Sequence, residues 1–119
     1  MMKKILCSLL IFAFAVFCHG EEFLLVRDGQ PVSEIVEGEQ PTRAAQFAAF
    51  ELQHAVKLIT HAELPIISKA SGDGIVRIFV GTQGKKQEWH GEEYSIRFDR
   101  DGIHLEGNDT ADFGKVDYN

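Results

Sequence analysis

The stretch Thr42-Arg43-Ala44-Ala45-Gln46-Phe47-Ala48-Ala49-Phe50-Glu51-Leu52-Gln53-His54-Ala55-Val56-Lys57-Leu58-Ile59-Thr60 decides the fold. Ala44, Ala48, Leu52, Ala55 and Ile59 follow one another at spacings of four, four, three and four, with Ala45 and Val56 flanking them. Gln46, Gln53, Lys57 and Thr60 fall on the opposite side. Only a helix gathers positions so spaced onto one face, so the spacing predicts a helix over 42–60 with Leu52 and Ile59 buried. Its inner face is mostly alanine, which lets a helix sit close against a sheet. Phe50 lies away from that stripe, beside Gln46 and Lys57, and needs either a second packing partner or cover from the loop at 81–91.

On both sides of this helix the period becomes two. Upstream, Phe23 to Val26 and Val32 to Val36 flank the turn-forming Asp28-Gly29-Gln30-Pro31 and read as a hairpin. Downstream, Pro65 borders the short apolar run Ile66-Ile67, and Ser68 to Gly74 is a loop. Ile75 to Val80 is a strand, with Val76, Ile78 and Val80 on one face and Ile75, Arg77 and Phe79 on the other. After a polar loop, Tyr94, Ile96 and Phe98 alternate with Ser95 and Arg97. Asp99-Arg100-Asp101-Gly102 then turns the chain into Ile103 and Leu105, which alternate with His104 and Glu106. The order is hairpin, helix, two strands, hairpin. That order predicts an α+β domain, a mixed and mostly antiparallel sheet with one principal helix packed on a face.

The N-terminus has another purpose. Met1-Met2-Lys3-Lys4 is basic, Ile5 to Phe17 is apolar, and Cys18-His19-Gly20 ends in small residues. This is the layout of a secretory signal peptide over residues 1–20, and the apolar run falls short of the roughly 20 residues a membrane span needs. A lipid anchor on Cys18 is the competing reading, but bulky Phe17 before it suits lipoprotein processing poorly. The expected product is a secreted or periplasmic domain spanning residues 21–119.

Of the 12 basic residues, two lie in the leader; the rest face 18 acids, so the mature charge falls from −6 for the whole chain to −8. Nucleic acid and anionic membrane surfaces are therefore unsuitable partners. Both cysteines, Cys7 and Cys18, are in the leader. Disulfides, thiolate catalysis and cysteine-based zinc sites are excluded from the mature chain.

The remaining chemistry is sparse. His54 and His61 are seven apart, and no His-Glu-x-x-His occurs; two-turn spacing does not chelate zinc. Gly72 and Gly74 precede Arg77, where a dinucleotide fingerprint needs a third glycine, and Gly81-Thr82-Gln83-Gly84-Lys85-Lys86 lacks the spacing of a phosphate loop. The acid pairs Glu92-Glu93 and Asp99/Asp101 have no evident apolar pocket to part their pKa values. Gly107 to Asp112 is an oxygen-rich loop of the kind that can hold calcium, and Asn108-Asp109-Thr110 is a glycosylation sequon. Ser33, Ser68, Ser71 and Ser95 lack the setting of a nucleophile elbow. No catalytic residue, cofactor-binding residue or metal ligand is assigned.

Ala48-Ala49-Phe50-Glu51-Leu52, followed by Leu58-Ile59-Thr60-His61-Ala62-Glu63-Leu64-Pro65-Ile66, resembles a helix-to-strand pattern of two enzyme families. These are the N-terminal domain of family 67 α-glucuronidases and the second domain of family 20 β-N-acetylhexosaminidases. Val26 to Gly29, Ile75 to Gly81, and Glu93 to Asn108 match further segments in order, so the likeness covers nearly all of Phe23 to Tyr118. His61 stands where those families usually carry glycine, at a position expected to need left-handed backbone. In them the catalytic carboxylates lie in a following (β/α)₈ barrel, so none is carried over to this chain. The resemblance implies a non-catalytic accessory domain of a secreted glycoside hydrolase, incomplete at its C-terminus. Its partner would be the parent's barrel, with carbohydrate as a further candidate. The alternative is an independent secreted binding or inhibitor protein of cystatin-like helix-on-sheet form, although cystatin's Gln-x-Val-x-Gly is absent. In the fragment reading, Ile75, Phe79, Phe113 and Val116 are expected to form an exposed patch that drives self-association.

Overall fold

A computed structural model describes residues 22–83 and 88–118. The expected leader and part of the loop at 81–91 lie outside these residues. A two-residue ribbon, β1 (Val26–Arg27) and β2 (Gln30–Pro31), opens the fold. Then come β3 (Ser33–Val36), the helix α1 (Arg43–Thr60), β4 (Ile66–Ile67) and β5 (Val76–Val80), and a hairpin of β6 (Tyr94–Asp99) and β7 (Gly102–Gly107) closes it. The five-stranded main sheet runs β4-β3-β5-β7-β6.

Among the described residues the single helix, the mixture of strand directions and the α+β class are as the sequence predicts. Both hairpin pairings, β1 with β2 and β6 with β7, are antiparallel. Between them β3 pairs with β4 and with β5, and β5 pairs with β7, all in parallel. For β3 and β4, and for the two hairpins, the reason is connection length. An 18-residue helix returns the chain to the end of the sheet it left, whereas a two-residue turn reverses it.

The first hairpin is smaller than expected. Asp28 and Gly29 both have positive φ (50° and 73°), the backbone of a tight primed turn. Pairing stops at Val26 opposite Pro31, and Val32 N–H donates to Leu25 O. Ser33–Val36 then joins the main sheet as a buried strand instead of completing the ribbon.

The helix begins as its sequence dictates. Thr42 is the N-cap, its hydroxyl oxygen accepting from the Ala45 N–H at 3.1 Å. At the other end His61 is left-handed (φ 62°), and its N–H donates to Lys57 O. The left-handed backbone expected at His61 is thus present.

The buried helix face is a correction. Ala45 and Ala49 are the buried helix residues, with Leu52 and Val56 partly buried against the same core. Ile59 is 81% exposed, and Ala44, Ala48 and Ala55 are exposed too. The chain carries two apolar stripes one residue apart in phase, and the one with Ala45 and Ala49 meets the sheet. It does so closely: a Cβ on Gly81 would stand 3.1 Å from Ala45 Cβ. The core under it consists of Ile35, Leu64, Ile78 and Val80. Ile35 and Leu64 are fully buried, each contributing about 1.5–3 kcal/mol by removal from water.

Phe50 finds a partner in the C-terminal tail. Its ring stacks on Tyr118 with centroids 4.8 Å apart, and Phe47 lies 5.8 Å from the same tyrosine. Gln46 fastens the tail, donating to Gly114 O at 2.7 Å and accepting from Val116 N–H at 3.0 Å. Val116 is therefore not without a partner; Phe113 remains exposed.

Candidate functional site

The sheet face that meets the helix is apolar across its width. Register places Ile66, Ile35, Ile78, Ile103 and Phe98 in one row, and Val80, Leu105 and Ile96 in the next. The helix covers only the half made by β4, β3 and β5. Over β7 and β6 the rows continue uncovered, leaving Tyr94 (77% exposed), Ile96 and Phe98 in solvent. Phe23 supplies an aromatic neighbour, its ring centroid 5.7 Å from that of Phe98. Between this half-sheet and the helix runs a groove of about 310 Å³, walled by Ala44 and Ala48 on one side and Tyr94 and Ile96 on the other, with Leu105 between. Ala44 and Ala48, from the stripe predicted to face the sheet, line this groove instead. Large exposed side chains on one contiguous surface of a soluble domain mark an interaction face.

The opposite face of the sheet is polar and occupied by its own contacts. The Glu34 carboxylate is buried and accepts from the Ser71 N–H (2.9 Å) and hydroxyl (2.6 Å), with Arg77 Nε 3.6 Å away. Arg77 in turn donates to the carbonyls of Ser71 and Gly72. Next to them the buried His104 ring stacks on Phe79 at 4.7 Å and lies 3.1 Å from Asp99 Oδ1. Desolvation alone would raise the Asp99 carboxyl. The Asp101 N–H, the hydrogen bond and charge of His104, and Arg97 together outweigh it and hold the carboxyl below the usual aspartate range. These groups tie the hairpin together, and Gly102 is part of that closure: a Cβ there would meet the Arg77 carbonyl oxygen at 2.1 Å.

The remaining sequence candidates fall apart in space. His54 and His90 are exposed, and His61 is the helix cap. Glu93 accepts from the His90 N–H, while Asp99 is engaged in its hairpin turn. Asp109 accepts from the Thr42 hydroxyl at 2.8 Å and Asp112 O from the Arg43 N–H at 2.7 Å, so the acidic loop docks on the helix N-terminus, where negative charge is favoured. Among the described residues no three His, Cys, Asp or Glu side chains form a metal-holding group. The Asn108 side-chain amide of the sequon donates to Gly91 O.

One arrangement was not foreseen. A cleft of about 1430 Å³ opens at the carboxyl ends of the parallel strands, where the loops after β3, β4, β5 and β7 converge. The loops leaving β3 and β5 part in opposite directions along the sheet, the place where open sheets with parallel strands form a crevice. Gln83 spans its floor: its amide donates to Val36 O at 3.1 Å and Val80 O at 3.0 Å, fastening the ends of both strands. Glu37 is half-buried in the wall, and burial pushes its carboxyl above the usual glutamate range. Trp89 and Phe113 supply aromatic surface. Sequence gave Gln83 no signal beyond an ordinary loop between glycines.

Comparison with protein-family models, with curated proteins and with solved structures finds no match.

Proposed function

We propose that this chain is a non-catalytic accessory domain of a secreted carbohydrate-active protein, and that it works by packing against the parent's catalytic unit. The observation that carries the reading is the uncovered apolar half of the sheet, with Tyr94, Ile96 and Phe98 facing solvent and Ala44 and Ala48 of the helix beside them. A small domain that works alone gains nothing from such a surface and risks aggregation through it. A domain that docks on a larger neighbour requires one. The resemblance to the α-glucuronidase and hexosaminidase accessory domains supplies the carbohydrate part of the proposal.

Asp109, Asp99 and Glu34 have structural occupations, in the helix cap, the hairpin turn and the network with Ser71. Purified on its own, the processed chain is expected to leave aryl glycosides intact. The coding sequence beyond Asn119 tests the proposal. A reading frame continuing into a barrel-sized domain supports it. A stop codon at that point rejects it in favour of an independent secreted binding protein.

A further inference from the structure

We propose that the cleft at the carboxyl ends of the parallel strands binds a neutral saccharide. This goes beyond the docking role above and uses a different surface, so either can fail without the other.

The cleft is built by the fold, not by one mobile side chain. Four loops form it, Gln83 pins two strand ends at its floor, and the capped start of α1 borders it. Its chemistry then selects the ligand. A pyranose presents an apolar face of C–H groups and a rim of hydroxyls. Trp89 and Phe113 offer flat apolar surface for the first. Glu37, Gln40 and Asn108 offer the hydrogen-bond acceptors that hydroxyl donors need.

Charge then weighs against the main competitors. Among the described lining residues Glu39, Glu88 and Asp109 stand against Lys69, a balance that disfavours phosphates and uronates despite the nearby helix N-terminus. A cation would suit the acids, but Asp109 is already committed to the Thr42 hydroxyl. Burial also favours the uncharged form of Glu37, a hydrogen-bonding group better matched to a hydroxyl than to an ammonium.

Trp89 is the single tryptophan of the chain, so intrinsic fluorescence reports on this cleft alone. The test is a titration of the processed full-length chain with xylohexaose, chitohexaose, hexagalacturonate and hexalysine. The expected result is a saturable change in Trp89 emission with at least one neutral hexasaccharide and none with hexagalacturonate or hexalysine. Phe113→Ala should weaken that binding about tenfold or more. Phe113 is 61% exposed, so the truncation leaves the fold intact. Trp89→Ala, followed by calorimetry, should weaken it likewise. The proposal is overturned by no response to either neutral sugar at about 10 mM, by tighter binding of the anionic or cationic hexamer, or by unchanged affinity in both variants.

Discussion

One row of side chains crosses the whole sheet, and its two halves have different fates. Ile35 and Ile78 lie under the helix at 0% and 2% exposure; Phe98, in the same row, is 61% exposed. The strands alternate equally well in both halves, so the difference is not in their local pattern. It lies in what covers them. One helix about 27 Å long roofs three strands and cannot roof five. The helix repeats the lesson, with Ala45 and Ala49 against the sheet while Ala44 and Ala48 line the open groove. Apolar patterning records which surfaces need cover; it does not record whether this chain supplies it.

That contrast can be broken most easily at its extremes. Ile35→Ala should cost about 2–5 kcal/mol in urea unfolding, because a fully buried side chain leaves a cavity. Ile96→Ala should stay within about 0.5 kcal/mol in the isolated chain. Equal losses would mean that the open half is covered after all.

The two alanine stripes give a sharper pair. Leucine at Ala49 has no room against the sheet and should cost about 1–3 kcal/mol. At exposed Ala48 the same change should alter the unfolding midpoint little. A reversed order would put the sheet against the stripe that the spacing first suggested.

The open half also has its own acid response. Asp99, at the β6–β7 turn, has a folded pKa below its unfolded one. Its contribution is therefore complete above the unfolded value and is lost as pH falls through the folded value. Asp99→Asn should flatten the acid limb of the stability profile and leave the neutral limb parallel to wild type. An unchanged acid limb would show that Asp99 carries no such linkage.

The smallest effect belongs to the helix cap. His61 has φ of 62°, a region that glycine enters without strain. His61→Gly should stabilise the chain by about 0.5 kcal/mol in thermal or urea unfolding; a loss would show that the ring contributes more than the backbone strain costs.

Much of this was legible beforehand. The helix over 42–60 appears as Arg43–Thr60 behind its Thr42 cap, and the last hairpin turns at Arg100–Asp101 as its Asp/Gly signals require. What sequence could not settle depended on partners distant in the chain. The 4-3-4 spacing fits Ala45, Ala49, Leu52 and Val56 as well as the neighbouring stripe, and only contact with Gly81 and Ile78 separates them. Ser33–Val36 looked like a hairpin arm because its parallel neighbours, β4 and β5, lie beyond the helix. The cleft escaped notice for the same reason: Gln83 and Glu37 are 46 positions apart and become one site only when β3 and β5 pair.

The central claim is that the half-sheet over β6 and β7 is an unfilled docking face. Sedimentation of the processed chain across a concentration series, read together with binding of a hydrophobic dye, tests it most directly. The account predicts dye binding and reversible association on the order of 10 μM or below, both abolished by Tyr94→Lys with Ile96→Lys while the unfolding midpoint holds. A dye-negative monomer that unfolds in one sharp transition at every concentration would contradict it.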